Sequence, residues 1–261
     1  MANITAAMVK ELRDKTDAGM MDCKKALTET NGDMEAAVEY LRKTGAAKAE
    51  KRADKATKEG KVFAAVDGNK AVMIEVLCET DFVAGNEKFF DYVKEAAASG
   101  DGDVTEKAQE LENNNLKELF VKFGEKMVLR RAVRFESAGI VSSYMHGNGK
   151  IGIMIDVEGT TDPELLKAIC MHIAAYSPMY VNSSEVPADA IAKEKEIAAA
   201  QLAGKPANMI EKILAGKINK WYTEICLMNQ PWIHDDKTCL AKLAPGVKVN
   251  KFVRWTVGQE L

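Results

Sequence analysis

Among its 261 residues the chain has little of what most enzyme sites are built from. It contains three histidines, His146, His172 and His234, well separated along the sequence. Its five cysteines, at positions 23, 78, 170, 226 and 239, form no C-x-x-C pair, so neither a thiolate zinc site nor a redox pair can be read. Their odd number and wide scatter suit a reducing cytoplasm, where cysteine serves as a small apolar residue. No G-x-x-x-x-G-K-[ST] or G-x-G-x-x-G loop is present and no metal ligands cluster, so no cofactor, metal or catalytic residue is expected. No segment approaches eighteen apolar residues, and "MANITAAMVKELRDK" meets charge at Lys10 and Glu11 before an apolar signal core can develop. Neither a membrane span nor an export signal is indicated. An excess of positive charge is also lacking: a net charge of −3 argues against a protein whose main work is neutralising phosphate backbones. No direct nucleic-acid partner is expected, although a local basic patch is compatible with that balance.

What is present is ample material for folding. With 47% hydrophobic and 29% charged residues, the chain can bury ordinary cores in more than one domain. In "ITAAMVKELRDKTDAG", Ile4, Met8 and Leu12 recur at helical spacing and Gly19 supplies a stop, while "MMDCKKALTETNG" and "DMEAAVEYLRK" read as two further short helices. Asn31-Gly32 breaks these two, and Asp33 is placed to cap the last. Residues 1–45 therefore predict a small three-helix bundle. The stretch "RKTGAAKAEKRADKATK", Arg42 to Lys58, loses its apolar face and reads as a solvated charged linker, helical in part, centred on residues 46–59.

An internal repeat organises the rest. Met73-Ile74-Glu75-Val76 aligns with Met154-Ile155-Asp156-Val157, and the same shift places Thr80-Asp81 on Thr161-Asp162. Each copy is preceded by a strand and a Gly/Asn turn, followed by an amphipathic helix, and closed by a strand sharing Val-Arg-aromatic, in "LRRAVRFES" and "NKFVRWTVG". The expected fold is α+β: two related subdomains, each a small antiparallel sheet with helices on one side. The first spans 60–139; the second spans 140–180 and 228–261. Between the parts of the second, residues 181–227 read as two polar, alanine-rich helices joined at Gly204-Lys205-Pro206. Ile191, Ala198 and Leu202 mark the inner side of one, and Ile210, Leu214, Ile218 and Trp221 that of the other. That is an inserted antiparallel helical hairpin.

The copies differ at one position that matters. Where the second reads "TTDPELL", the first reads "ETDFVAG", with Phe82 in place of Pro163. Thr-Asp before a helix is a capping pattern that proline suits and phenylalanine does not improve. Two readings stand: Phe82 folds back as a staple near Phe89 or Phe90, or it is an exposed apolar wedge beside a carboxylate, meant for a partner's pocket. Cys170 and His172, two apart on a helix, point to different sides and make a poor nucleophile pair, with His172 expected at a core edge or on the surface. His146 sits in the turn "MHGNGK", where packing alone does not require imidazole.

In order along the chain, "ELRDKTDAGMMDCKKALTETNGD", "TDFVAG" and "HGNGKIG" closely resemble the bacterial translation elongation factor Ts family, over about Met1 to Gly258. The resemblance implies a ubiquitin-associated-like bundle, two related core subdomains and a coiled-coil hairpin. It implies guanine nucleotide exchange on elongation factor Tu in the cytoplasm, as a heterodimer or higher heteromer, without covalent chemistry. By the same resemblance, Asp81 and Phe82, within Thr80 to Val83, form the exchange wedge, and His146 reaches the same neighbourhood. Phe123-Gly124 matches an Ile-Gly pair beside the wedge, so phenylalanine there departs from the family pattern. Arg13, Met20 and Met21 match a second contact with the partner's G domain; adjacent methionines lie about 100° apart on a helix, so at least one should miss the bundle core. Many relatives continue for about another helix beyond the point where this chain stops at "VGQEL", and contacts assigned to that helix do not carry over. Two rival readings remain at this point: a ubiquitin-associated-like adaptor without exchange activity, and a hydrolase built on Cys170 and His172 that lacks a third orienting group.

Overall fold

In the computed structural model, which describes residues 3–52, 54–98, 120–202 and 207–260, the apolar spacing of the N-terminal segment closes three helices around one small core. Helix α1 (Ala6–Thr16) begins at Thr5, whose hydroxyl accepts the Met8 N–H; α2 spans Met20–Glu29 and α3 spans Met34–Lys51. Leu12, Cys23, Leu27, Ala37 and Leu41 are buried between them. Gly19 does not stop α1 as its residue type suggests. Asp17 does so, in a left-handed conformation with its N–H bonded to the Arg13 carbonyl, and Gly19 instead opens α2. Helix α3 runs on into the Lys/Ala-rich stretch, where Gly45 is buried so closely against Val121 that a Cβ would lie 2.4 Å from its side chain. Most described side chains of the charged linker are exposed, and two of its cations are paired, Lys48 with Asp22 and Arg52 with Glu79.

Strands β1 (Glu59–Asp67) and β2 (Lys70–Cys78) form a hairpin, followed by the one-turn helix α4 (Asp81–Ala84), α5 (Glu87–Ala98) and β3 (Val128–Glu136). The second copy comprises β4 (Ile140–His146), β5 (Ile151–Glu158) and α6 (Pro163–Tyr176). Helices α7 (Ala188–Ala200) and α8 (Ala207–Ile225) come next, then the short strands β6 (Pro231–Trp232) and β7 (Asp235–Cys239), the turn α9 (Leu240–Leu243) and β8 (Lys248–Thr256). Two antiparallel three-stranded sheets result, in the orders β1-β2-β3 and β4-β5-β8. The period-2 alternation of the central strands sorts their side chains. From β2, Val72, Ile74 and Val76 join the core beneath α5, whereas Met73 enters the core between the sheets. From β5, Ile153, Ile155 and Val157 join the core with α6, whereas Met154 meets the inter-sheet core. The layers run helix, sheet, sheet, helix.

The two copies follow one plan down to their irregularities. Each sheet has a register shift at the same point of the repeat, between Glu75 and Val76 in one and Asp156 and Val157 in the other. The residue before each shift is a buried carboxylate. Glu75 is paired with Arg130 and Arg131 and accepts the Gly258 N–H at 2.8 Å; Asp156 accepts the Ser137 hydroxyl and, at 3.1 Å, the Asn250 side-chain amide. Cations and rings also cross between copies: Arg131 lies over Trp255 at 4.5 Å and Lys251 over Phe135 at 4.4 Å. Such reciprocity is the contact pattern of a self-complementary, two-fold-like interface.

Helices α7 and α8 pack on each other, with Ala198, Ile218 and, just past α7, Leu202 buried; their joint at Gly204-Lys205-Pro206 lies outside the described residues. The root of this hairpin is stapled by backbone bonds from Leu227 to the Tyr180 carbonyl and from Met228 to the Val181 carbonyl, each 2.9 Å. No described helix is long and apolar enough to cross a membrane. Because Met73 is fully buried between the sheets, Met73→Ala should lower stability by about 2–5 kcal/mol in urea unfolding, whereas Leu243→Ala, at a half-exposed site, should change it by less than about 0.5 kcal/mol.

Candidate functional site: an exposed aromatic tip and its supports

At the end of β2 the chain turns through Glu79 and Thr80 into α4. Thr80 caps this turn, its hydroxyl 3.4 Å from the Val83 N–H and its carbonyl accepting the Ala84 N–H at 3.2 Å. Val83 and Ala84 point inward and are buried in the first subdomain's core. A single helical turn cannot bury every side, and the ring opposite them is left in solvent: Phe82 is 86% exposed. The staple expectation fails because its intended partners are engaged elsewhere. Phe89 is fully buried edge-on to Phe123, with centroids 6.5 Å apart, and Phe90 meets Phe63 edge-on at 5.6 Å between the ammonium groups of Lys61 and Lys94. In the second copy the corresponding chain enters its long helix directly. There Asp162 is the cap, accepting the Glu164 N–H at 3.0 Å, and Pro163 occupies the first turn. The extra turn and its ring belong to the first copy alone.

The surroundings of the tip are polar and firmly tied. Arg52, just past α3, grips Glu79 with two hydrogen bonds, from Nε at 3.0 Å and from the guanidinium terminus at 2.6 Å. This ion pair, helped by the Lys126 N–H, holds the Glu79 carboxyl below the ordinary carboxylate range against the opposing effect of burial. Asp81 is exposed beside Phe82. Phe123 is half-buried against Phe89, while Gly124 is exposed at φ 69°, its N–H closing the helical turn on the Phe120 carbonyl.

His146 comes to the same end of the core from the other copy. It is exposed at the end of β4, with Nδ1 3.1 Å from the Tyr144 hydroxyl. The turn that follows it docks on β1: the Val62 N–H donates to the Gly149 carbonyl at 2.8 Å, and Lys150 pairs with Glu59. Glu59 lies opposite Cys78 in the β1–β2 register, so this turn sits at the end of the sheet from which Phe82 springs. On the bundle, Arg13, Met20 and Met21 are all exposed, the methionines at 56% and 76%, so neither of the pair enters the bundle core. Asp17 links bundle to core through Lys88, on the helix after the tip, and Lys122; the Lys88 hydrogen bond holds its carboxyl below the usual range.

His172 departs from its expected position. It is fully buried rather than at an edge, sandwiched between Tyr176 and Trp232 at centroid distances of 4.7 and 5.1 Å, with Nε2 3.0 Å from the Gln230 side-chain oxygen. Two residues not foreseen, Gln230 and Trp232, supply a hydrogen bond to Nε2 and a stacking face, while Nδ1 is buried without a hydrogen-bond partner among the described residues. Burial lowers the His172 pKa and pushes the Cys170 thiol up to about 12, so this pair offers neither a ready base nor a thiolate.

The arrangement sets exposed apolar side chains on firmly held turns, while the Cys170 thiol and the His172 imidazole are buried. Comparison with known proteins gives the family. The model of the family described as elongation factor TS matches residues 79–259. The elongation factor Ts of Thioalkalivibrio sulfidiphilus is 49% identical over 98% of this chain and 92% of its own length. Those of Xanthomonas oryzae pv. oryzae (strain PXO99A) and Methylococcus capsulatus are 45% and 44% identical, over 98% of this chain and 92% and 93% of theirs. The chain belongs to the elongation factor Ts family, and its role is that of a translation elongation factor.

The buried imidazole gives a pH test. Its folded pKa is depressed below the ordinary value of 6.5, so as pH falls the unfolded chain takes up a proton before the folded one does. This contribution to stability is complete above about pH 6.5 and is lost as pH falls toward the lower folded value. The thermal unfolding midpoint should fall between pH 7 and 5, and a His172→Phe variant should show a flatter profile over that window in scanning calorimetry.

Proposed function

We propose that this chain is a guanine nucleotide exchange factor for elongation factor Tu, acting in the cytoplasm as a heterodimer or higher heteromer with it. The observation that carries the reading is Phe82: a large ring held in water, on a turn whose two neighbouring residues are buried. An exposed aromatic side chain with a rigid base loses little entropy on entering a pocket, which is how anchor residues dominate interfaces. On this reading Asp81 and Phe82, framed by Thr80 and Val83, enter the partner's G domain near its nucleotide site, with His146 and the Phe123-Gly124 segment alongside. Arg13, Met20 and Met21 form a second grip from the bundle. The position of phenylalanine at 123 supports a slightly different packing there, since its ring is partly committed to Phe89.

The mechanism is linkage and needs no acid, base or nucleophile from this chain. In the partner, Mg²⁺ neutralises the phosphates of bound GDP, so displacing the groups around it weakens nucleotide binding. Exchanger and nucleotide then weaken each other by the same factor. A mutual weakening of about 10⁴ corresponds to roughly 5.5 kcal/mol of coupling. One buried phenylalanine supplies at most about 3 kcal/mol by area, so the wedge cannot supply the coupling alone. The additional contacts close that gap, and rebinding of GTP releases the factor. The adaptor reading uses only the bundle and leaves Phe82 idle, and no observation favours it.

The test is release of a fluorescent GDP analogue from elongation factor Tu in excess unlabelled GDP. The native chain should accelerate release, and Phe82→Ala should lose at least about tenfold of that acceleration while its unfolding free energy changes by less than about 0.5 kcal/mol, as for other surface sites. A Met20→Ala/Met21→Ala variant should instead raise the concentration needed for half-maximal acceleration. No acceleration by the folded native chain would overturn the exchange reading.

A further inference from the structure

Among the described residues none covers the 86%-exposed ring of Phe82, so the direction of its turn is set from beneath. Two chain segments meet there and trade hydrogen bonds. The Glu79 carboxylate accepts the Lys126 N–H at 2.7 Å; the Glu125 carboxylate accepts the Thr80 N–H at 3.0 Å and the Thr80 hydroxyl at 2.6 Å. Each glutamate thus holds the backbone of the residue that follows the other. Arg52 completes the arrangement by neutralising Glu79. Every polar group of Thr80 is engaged: its N–H and hydroxyl by Glu125, its carbonyl by the Ala84 N–H and the Cys78 thiol, the last two each at 3.2 Å. Asp81 and Phe82 are the next two residues.

How Glu125 reaches Thr80 explains its neighbour. Residues 120–123 form a helical turn, and Gly124 ends it at φ 69°, a conformation that other residues adopt only at a cost. A Cβ at Gly124 would meet nothing within 4 Å, so the requirement is one of backbone conformation rather than space. The reversal at Gly124 aims Glu125 back at the tip.

We infer that Glu125 is a positioning residue for exchange: its carboxylate fixes Thr80 and, through Thr80, the direction in which Asp81 and Phe82 are presented. This inference rests on the exchange reading above and identifies what tunes that site. Charge-assisted hydrogen bonds are the stronger kind, and two of them converge on one residue at the root of a single helical turn. Loss of both leaves Val83 and Ala84 still buried, so the turn remains but its ring is presented over a wider range of directions. A wedge presented in this way still docks through the bundle and the second copy; what it loses is the ability to drive the final displacement.

The experiment measures GDP release from elongation factor Tu with the native chain, Glu125→Ala, Glu125→Gln, Phe82→Ala and the double variant Phe82→Ala/Glu125→Ala, each titrated to saturation. In parallel, amide hydrogen exchange is followed by mass spectrometry across residues 79–86 of the free proteins. Glu125→Ala should lower the maximal rate about tenfold, with the half-saturating concentration moved less than about twofold. Glu125→Gln, which keeps one carbonyl acceptor, should recover part of the loss. The double variant should be no slower than Phe82→Ala alone, because Glu125 acts through the ring. Amides of residues 80–85 should exchange faster in Glu125→Ala while those of β2 do not change. A full maximal rate in Glu125→Ala, or losses that simply add in the double variant, would overturn the assignment. If the native chain failed to release GDP, the exchange reading would fall by itself. The amide data would still decide whether Glu125 orders the tip, and unchanged protection at 80–85 would overturn that as well.

Discussion

The inner faces of the two sheets can be buried only against each other, and the rest of the molecule is arranged around that constraint. Helices cover the outer faces, so Val62, Met73, Phe135, Met154 and Trp255 have one route out of water, which is to form a common core between the copies. Close approach is secured at Gly152, where a Cβ would lie 2.4 Å from the Val62 side chain. The same approach seats the β4–β5 turn on β1 and so brings His146, from one copy, to the end of the core that carries Phe82, from the other. The placement of this turn is a result of inter-sheet packing, not of either copy alone.

Two carboxylates are buried at the margin of that packing, which requires compensation. A buried ion pair contributes little net stability, but removing one partner leaves a charge with nothing to oppose it. Glu75 has two arginines and a backbone N–H, and Asp156 has a hydroxyl and an amide. The compensation is asymmetric, charge against charge in one copy and neutral donors in the other, although the positions correspond. At the Phe82 end the logic reverses. Phe82 is apolar and left in water, and the polar groups beneath it, Glu79, Thr80, Glu125 and Arg52, hold the turn that keeps it there.

Much of this was legible in the sequence because it depends on local periodicity. The helices of the bundle, the alternation in β2 and β5 and the repeated Thr-Asp are local patterns, and the contrast between Phe82 and Pro163 marked the tip without any coordinates. What was not legible depends on distant partners. His172 looked like an edge residue because nothing near it in sequence announces Gln230 or Trp232. Arg52 looked like one more solvated charge in a Lys/Ala-rich run because Glu79 lies 27 positions away. Gly60 and Gly139 occupy matching places against the carbonyls of Val76 and Val157, where a Cβ would come within 2.1 and 2.3 Å. The sequence carries that signal as a shared Gly-x-Val, too short to stand out without the sheets. Asp17 ended α1 where glycine was expected because αL is open to aspartate as a single residue.

The crossing of partners between copies also governs when the protein can finish folding. Glu75 receives a donor from Gly258, 183 residues further along the chain, and Arg131 stacks on Trp255. As the chain emerges during synthesis at about 5–20 residues per second, the first copy, complete at Glu136, waits roughly 6–24 s for Gly258 with its buried carboxylate short of one donor. A factor that serves protein synthesis thus needs its own synthesis to run nearly to the end before its first half can close.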